Sequence, residues 1–135
     1  MPCTVTRLAG EPILILQFDL NLEDRLSSLR SVQSQVASIA AATGGLLVVI
    51  ADLREHDVKY SDFLLMAHDM PHHPEGSPLD PRIRPAMIGD HPLIEIGVRK
   101  INQMLGIQIE HFATLEKALA WAREEIRRQT DQPPN

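Results

Sequence analysis

Three histidines and one aspartate form the densest group of potential metal ligands in the sequence: His68, Asp69, His72 and His73. Two histidines four residues apart on an α-helix lie on one face and can bind a zinc ion together. Pro71 lies between His68 and His72, however, and proline disrupts an α-helix because it lacks the backbone N–H and clashes with the preceding turn. We therefore expect neither a metal site nor another cofactor here. A metal-dependent hydrolase built on these histidines is the last of three functional hypotheses.

Acidic side chains are concentrated directly after a continuous apolar run, at Asp52, Glu55, Asp57 and Asp62. Carboxylate oxygens are good ligands for magnesium or calcium, but the spacing of these acids matches no known cation-binding loop. A solvated loop is the simpler interpretation. We expect this loop, together with Tyr60 and the helix that follows it, to bind a protein partner. This interaction is the first functional hypothesis.

The spacing of apolar side chains predicts the elements that position these residues. Apolar runs or alternation indicate strands, and spacings of three and four residues indicate helices. The predicted strands are 4–8, 13–18, 46–50, 83–88 and 107–112, and the predicted helices begin at Asn21, Tyr60, Pro92 and Leu115. The order is therefore β-β-α-β-α-β-α-β-α. It predicts an α/β fold with a mixed five-stranded sheet and four helices.

Local signals refine these elements. Gly10 and Pro12 predict the turn of an initial hairpin. Pro85 falls inside the fourth strand and predicts an edge strand or a strand start, because proline donates no hydrogen bond to a sheet.

Asp90 is the expected N-cap of the third helix. The residues that this helix is expected to turn towards the core are Leu93, Ile96, Gly97, Ile101, Met104 and Leu105.

Length and composition indicate a single domain over residues 1–130 with a flexible tail at 131–135. The apolar runs are too short to cross a membrane, and we recognise no signal peptide. The one cysteine, Cys3, excludes an internal disulfide and suits a reducing compartment. We therefore expect a cytoplasmic protein without membrane insertion.

The charge balance argues against nucleic acid as a partner. Lysine and arginine number 13 against 18 aspartates and glutamates, for a net charge of -5. Phosphate backbones need a basic surface, and the few aromatic residues supply no stacking platform for bases.

Residues 71–85 contain five prolines and connect the second helix to the fourth strand. A connection of this length without regular structure is uncommon in a compact domain and is often functional. We predict a surface segment or lid. Met66, Met70 and Met104 are the side chains expected to line a pocket beneath it, and a carrier or sensor of a small apolar ligand is the second functional hypothesis.

In its order of elements and in two segments, VVIADLREHDVKYSDFLLM and FATLEKALAWAREEI, the chain resembles the STAS and SpoIIAA-like superfamily. The best-known members of this superfamily are bacterial anti-sigma-factor antagonists. In STAS domains the central strand is followed by Asp-Leu, a short loop and a helix that starts with Asp-Ser-Ser-Gly-like residues. Asp52 and Leu53 match the end of that strand. The second segment resembles the Phe-x-Thr-x-Glu-x-Ala-x-x-Trp pattern of SpoIIAA-like proteins. The resemblance implies a non-enzymatic bacterial signalling module.

Ser61 falls at the position that resembles the STAS serine, which can be phosphorylated. Its neighbours Tyr60, Asp62 and Phe63 differ from the family pattern. Two interpretations stay open: Ser61 caps the second helix, or it is a phosphoacceptor favoured by the backbone N–H groups at the helix start. A homodimer is also expected, since small sheet domains often cover an edge strand or an apolar helix face in this way.

Overall fold

The computed structural model describes residues 3–18, 25–54 and 59–131 and confirms the predicted α/β fold. Five strands and four helices alternate in the predicted order, with one 3-10 turn after the second helix. The elements are β1 (Cys3–Arg7), β2 (Ile13–Phe18), α1 (Arg25–Thr43), β3 (Leu47–Asp52), α2 (Tyr60–Asp69), the 3-10 turn (Met70–His72), β4 (Ile83–Ile88), α3 (Pro92–Leu105), β5 (Glu110–Phe112) and α4 (Leu115–Asp131). The predicted bounds of β1 and β3 shift by one or two residues, β5 starts three residues later than predicted, and α4 includes Asp131. Asn21 and residues 132–135 lie outside the described residues.

The strands lie in the sheet in the order in which they occur in the chain, β1-β2-β3-β4-β5. β1 and β2 form an antiparallel hairpin, as Gly10 predicted, and Gly10 has a φ of 74° in the turn. The other three pairings are parallel. β3 is therefore the central strand, and every one of its residues is buried.

Helices cover the two faces of the sheet unequally. The three crossovers all step to the next strand in the same direction, and crossovers that share one hand must then place their helices on one face. α1 packs on that face against β2 and β3, and α2 and α3 pack beside it against β3 and β4. α4 alone covers the opposite face. The side chains beneath α4 are Ile13, Val48, Ile50, Ala86 and Ile88.

Pro85 does not mark an edge, which corrects the sequence prediction. β4 lies between β3 and β5, and Pro85 pairs with Val49 of β3. The carbonyl oxygens of Arg82 and Ile88 accept hydrogen bonds from backbone N–H groups on the β3 side. The backbone N–H and C=O groups of the even-numbered residues of β4 therefore point towards β3. Pro85 points towards β5, whose pairing begins only opposite Ala86. The missing N–H therefore costs no hydrogen bond in the sheet.

Two helix starts also differ from the predictions. Lys59 occupies the N-cap position of α2, so Ser61 lies inside the first turn and does not cap it. His91 caps α3 in place of Asp90: its ring nitrogen Nδ1 accepts a hydrogen bond from the Leu93 N–H at 3.1 Å. The imidazole is one residue closer to the helix and reaches the free N–H that the Asp90 carboxylate was expected to satisfy.

The buried stripe of α3 runs through Ile94, Gly97, Val98 and Ile101. Ile96 and Met104 were predicted to face the core, but they are 50% and 49% exposed. Ile96 lies on the opposite side of the helix from this stripe, and Met104 lies in the last turn, beyond the last buried residue, Ile101. Within the described ranges, no helix is both long and apolar enough to span a membrane.

Candidate functional site

Asp52 ends the central strand and is held by its neighbours. Arg54 donates to both carboxylate oxygens, from Nε at 2.9 Å and from Nη2 at 2.7 Å, and its backbone N–H donates at 3.1 Å. The Arg54 hydrogen bonds are the main cause that lowers the pKa of Asp52, and Gln17 adds a further bond. Asp52 is thus a paired carboxylate that organises the start of the acidic segment.

The acids that follow do not converge on one point in the part of this segment that the structure describes. Asp62 turns back on its own helix, where Oδ2 accepts the N–H of Lys59 at 3.0 Å. Glu55 and Asp57, both predicted to face a partner, lie outside the described residues. Ser61 is exposed in the first turn of α2, and its phosphorylation stays a prediction.

The α-helix ends before Pro71, as the sequence predicted, and the histidines on either side of Pro71 nevertheless lie side by side. The α-helix ends at Asp69, but the backbone continues directly into the 3-10 turn Met70–His72. His68 and His72 therefore stay on one side, with ring centroids 5.8 Å apart and ring planes tilted by 44°. Residues 3–18, 25–54 and 59–131 contain no group of three or more histidine, cysteine, aspartate and glutamate side chains that could hold a metal ion.

A small cavity lies beneath the segment 71–85, as the second hypothesis required. Its volume is about 50 Å³, and Met66, Met70 and the buried Gln33 are among its lining residues. The predicted third methionine, Met104, is half-exposed on α3 and does not line it. An engineered apolar cavity of about 150 Å³ binds benzene, and this cavity has only about a third of that volume.

The segment 71–85 is fixed by a buried carboxylate. Asp80 accepts hydrogen bonds from the Gly76 N–H at 3.0 Å, from the Arg82 N–H at 3.0 Å, and from the Arg82 guanidinium at 3.0 and 2.7 Å. These bonds, chiefly those from the guanidinium, lower the pKa of Asp80 to about 2. Ser77 is fully buried and donates from Oγ to the Pro74 carbonyl at 2.7 Å. The predicted lid is thus an anchored surface segment.

Apolar side chains are exposed on one part of the surface. Every large hydrophobic residue that the structure describes as exposed belongs to α2 or α3: Tyr60, Leu64, Leu65, Ile96 and Met104. We call these five residues the α2–α3 apolar face. Their exposed fractions run from 37% to 50%.

The two helices that carry this face pack closely together. A Cβ on Gly97 would lie 2.3 Å from the Phe63 ring, so only glycine allows this approach. Asp69 turns the other flank of α2 towards α1 through its bond to Arg30, and Asn102 turns the other flank of α3 towards β5. Tyr60 and Leu64 lie on the flank of α2 away from Asp69, whereas Leu65 lies one turn before Asp69.

One cation lies within the apolar face. Lys100 stands one turn from both Ile96 and Met104 on α3. It is half-buried, and it forms no ion pair with any residue in the described ranges. The neighbouring Arg99 is already paired with Glu95 at 3.1 Å.

Comparison of the chain with protein-family models, with curated proteins and with solved structures gives no match. The site is therefore interpreted from its own chemistry.

Sequence reasoning placed part of this face and missed the rest. Tyr60 was assigned to the partner-binding region because it follows the acidic loop. Ile96 and Met104 were assigned to the core because they are apolar and lie in a helix. Helical spacing alone does not separate them, because Ile96 lies three residues after Leu93 and Met104 lies three residues after Ile101.

Proposed function

We propose that this chain is a non-enzymatic cytoplasmic protein-interaction module of the STAS-like type, and that its α2–α3 apolar face binds an amphipathic helix of a partner protein. The observation that carries the proposal is the confinement of all the described exposed large hydrophobic residues to two neighbouring helices. Contiguous apolar surface on a folded domain costs free energy in water and is typical of sites that a partner covers.

The composition of the face supports a helical partner. Tyrosine, leucine, isoleucine and methionine side chains at the junction of two helices match the way in which an amphipathic helix docks its apolar stripe. Lys100 supplies a positive charge without a partner inside this surface. A carboxylate on the incoming helix would pair with it and set the register of binding.

The titratable side chains at the carboxyl end of the sheet support a binding role over catalysis. Asp52 is paired with Arg54, and His91 accepts the first N–H of α3. The ring nitrogen Nε2 of His111 lies 2.7 Å from the Gly89 carbonyl oxygen and donates its proton there. These contacts hold loops in place, which is a structural role.

Affinity capture tests the proposal. The wild-type chain and a Leu64→Lys, Ile96→Lys double variant are compared as baits, and recovered partners are quantified by mass spectrometry. Two lysines would repel the apolar stripe of the partner, so we expect the recovery of specific partners to fall about tenfold or more. A Gln35→Lys, Ser38→Lys variant is the matched control, because it adds the same charge at exposed positions of α1.

Equal recovery with the wild type and the face variant would contradict the proposal. Sedimentation velocity of the purified proteins separates a further outcome. If the face variant abolishes only self-association, the occupant is a second copy of this chain and the proposal of a heterologous partner is wrong. Circular dichroism of each variant confirms that the fold is retained.

A further inference from the structure

The histidine pair His68 and His72 lies at the exposed end of α2, where the α-helix passes into the 3-10 turn. Pro71 removes one backbone N–H, and the chain tightens into the 3-10 turn without reversing direction. The His73 N–H then closes the turn on the carbonyls of Asp69 and Met70, at 3.2 and 3.1 Å. This backbone keeps both imidazoles on one side of the helix end.

We propose that His68 and His72 form a surface binding site for one divalent late first-row transition-metal ion, of the class Cu²⁺, Ni²⁺ or Zn²⁺. Imidazole nitrogen is the protein ligand that suits these ions best, and copper binds most tightly in this series. Each ring supplies one nitrogen, and water completes the coordination. The site does not depend on the proposed function.

The ring geometry fits a shared ion. With metal–nitrogen bonds of about 2.0–2.1 Å, two imidazoles bound at an angle near the tetrahedral value or somewhat wider have centroids roughly 5 to 6 Å apart. The observed separation is 5.8 Å. The rings are tilted by 44° and so are not stacked face to face.

The surroundings of the pair limit the site to two protein ligands. Asp69, the acid between them in sequence, is buried and directed at α1, where Oδ1 accepts from Arg30 at 3.2 Å. His73 is exposed beyond the end of the 3-10 turn, and it makes no ring contact with the pair. Because solvent occupies the remaining positions, the ion exchanges readily.

The bound ion would cross-link two neighbouring turns of the backbone. It joins the last turn of α2 to the 3-10 turn across the position where Pro71 removes a helical hydrogen bond. An ion that binds the folded chain in preference to the unfolded chain raises the free energy of unfolding.

Isothermal titration of untagged, metal-free protein with NiCl₂ and CuCl₂ tests the site. We expect one ion per chain, a higher melting temperature with metal, and a copper electron paramagnetic resonance spectrum with the splitting of two nitrogens. His68→Ala and His72→Ala should each lose the rise in melting temperature and the two-nitrogen spectrum. His73→Ala is the matched control and should retain both, since only its backbone N–H takes part in the turn.

Three results would each overturn the proposal: no binding by the wild type, an unchanged two-nitrogen spectrum in His68→Ala or His72→Ala, or loss of binding in His73→Ala. All three substitutions are at exposed side chains, so the melting temperatures of the metal-free variants should match that of the wild type and exclude misfolding as the cause.

Discussion

Asp80 shows how one buried carboxylate replaces regular structure in a long connection. Its two oxygens accept bonds from Gly76 at one end of a tight loop and from Arg82 at the other. The side chain of Asp80 is almost completely buried, so these bonds are formed away from bulk water. Charge-assisted hydrogen bonds of this kind are about twice as strong as neutral ones.

We predict that Asp80→Asn lowers the free energy of unfolding by about 1 to 3 kcal/mol at pH 7, because an uncharged amide cannot reproduce the paired bonds to the guanidinium. The loss should depend on pH. The pKa of Asp80 falls from an ordinary 3.8 to about 2 in the folded chain, so its stabilisation is present above the ordinary pKa and is lost as the pH falls towards 2. The difference between wild type and variant should shrink by about 1 kcal/mol between pH 7 and pH 3.

Urea titrations at the two pH values measure this difference. Asp90→Asn is the control, since Asp90 is exposed and this substitution should change stability little at either pH. A difference that stays constant or grows on acidification would refute the role of the Asp80 charge.

The histidine pair also shows what could not be predicted from the sequence. Two histidines four residues apart, His68 and His72, indicate a possible metal site, whereas Pro71 between them predicts a break in the α-helix. A proline excludes one hydrogen bond and one backbone geometry, but it is compatible with the tighter 3-10 turn that follows α2. The distance between the two imidazole rings depends on whether the chain forms a 3-10 turn after α2. The residue types alone do not specify this turn.

Among the elements, the contact between the segment 71–85 and α1 depends on one glycine. Gly76 has a φ of 78°, and a Cβ there would lie 2.0 Å from the carbonyl oxygen of Gln33. That oxygen belongs to the helix backbone and has little freedom to move. The segment therefore rests directly on α1 and closes the small cavity from that side.

We predict that Gly76→Ala destabilises the fold by about 3 kcal/mol or more, since it adds a backbone clash to the cost of about 1 to 2 kcal/mol for a left-handed alanine. Gly44→Ala is a close control. Gly44 has a φ of 73° but no atom within 4 Å of its added Cβ, so it carries the conformational cost alone. Thermal and urea unfolding of both variants measure the difference, and equal destabilisation would show that the contact with α1 contributes nothing.

The sequence predicted the elements well because their signals are local. Alternation, apolar runs and helix-ending glycines such as Gly44 and Gly106 act within a few residues, and these assignments are confirmed. The role of Pro85 could not be obtained in this way. Its tolerance depends on where β5 starts pairing, more than twenty residues later in the chain. The exposed faces of α2 and α3 likewise depend on which helices pack beside them.

For the whole molecule, the sheet order predicts a gradient of local stability. β3 is buried throughout and pairs with a strand on each side, whereas β1 and β5 are edges and β5 has only three residues. Backbone amides that open only with global unfolding exchange most slowly.

We therefore predict that hydrogen exchange followed by mass spectrometry is slowest in Leu47–Asp52 and clearly faster in Cys3–Arg7 and Glu110–Phe112. Repeating the measurement in mild urea should leave the β3 amides as the last to exchange. Edge strands that are protected as strongly as β3 would indicate that a partner or a second copy of the chain covers them.

The unequal covering of the sheet also affects how the chain emerges from the ribosome. All five strands and the helices of one face are synthesised before α4, which is the one helix on the other face among residues 3–18, 25–54 and 59–131. Until α4 follows, a nascent chain can assemble its sheet and still present Ile13, Val48, Ile50 and Ile88 to water. Apolar surface that is exposed during folding makes a chain prone to aggregation, and α4 covers this surface in the folded domain.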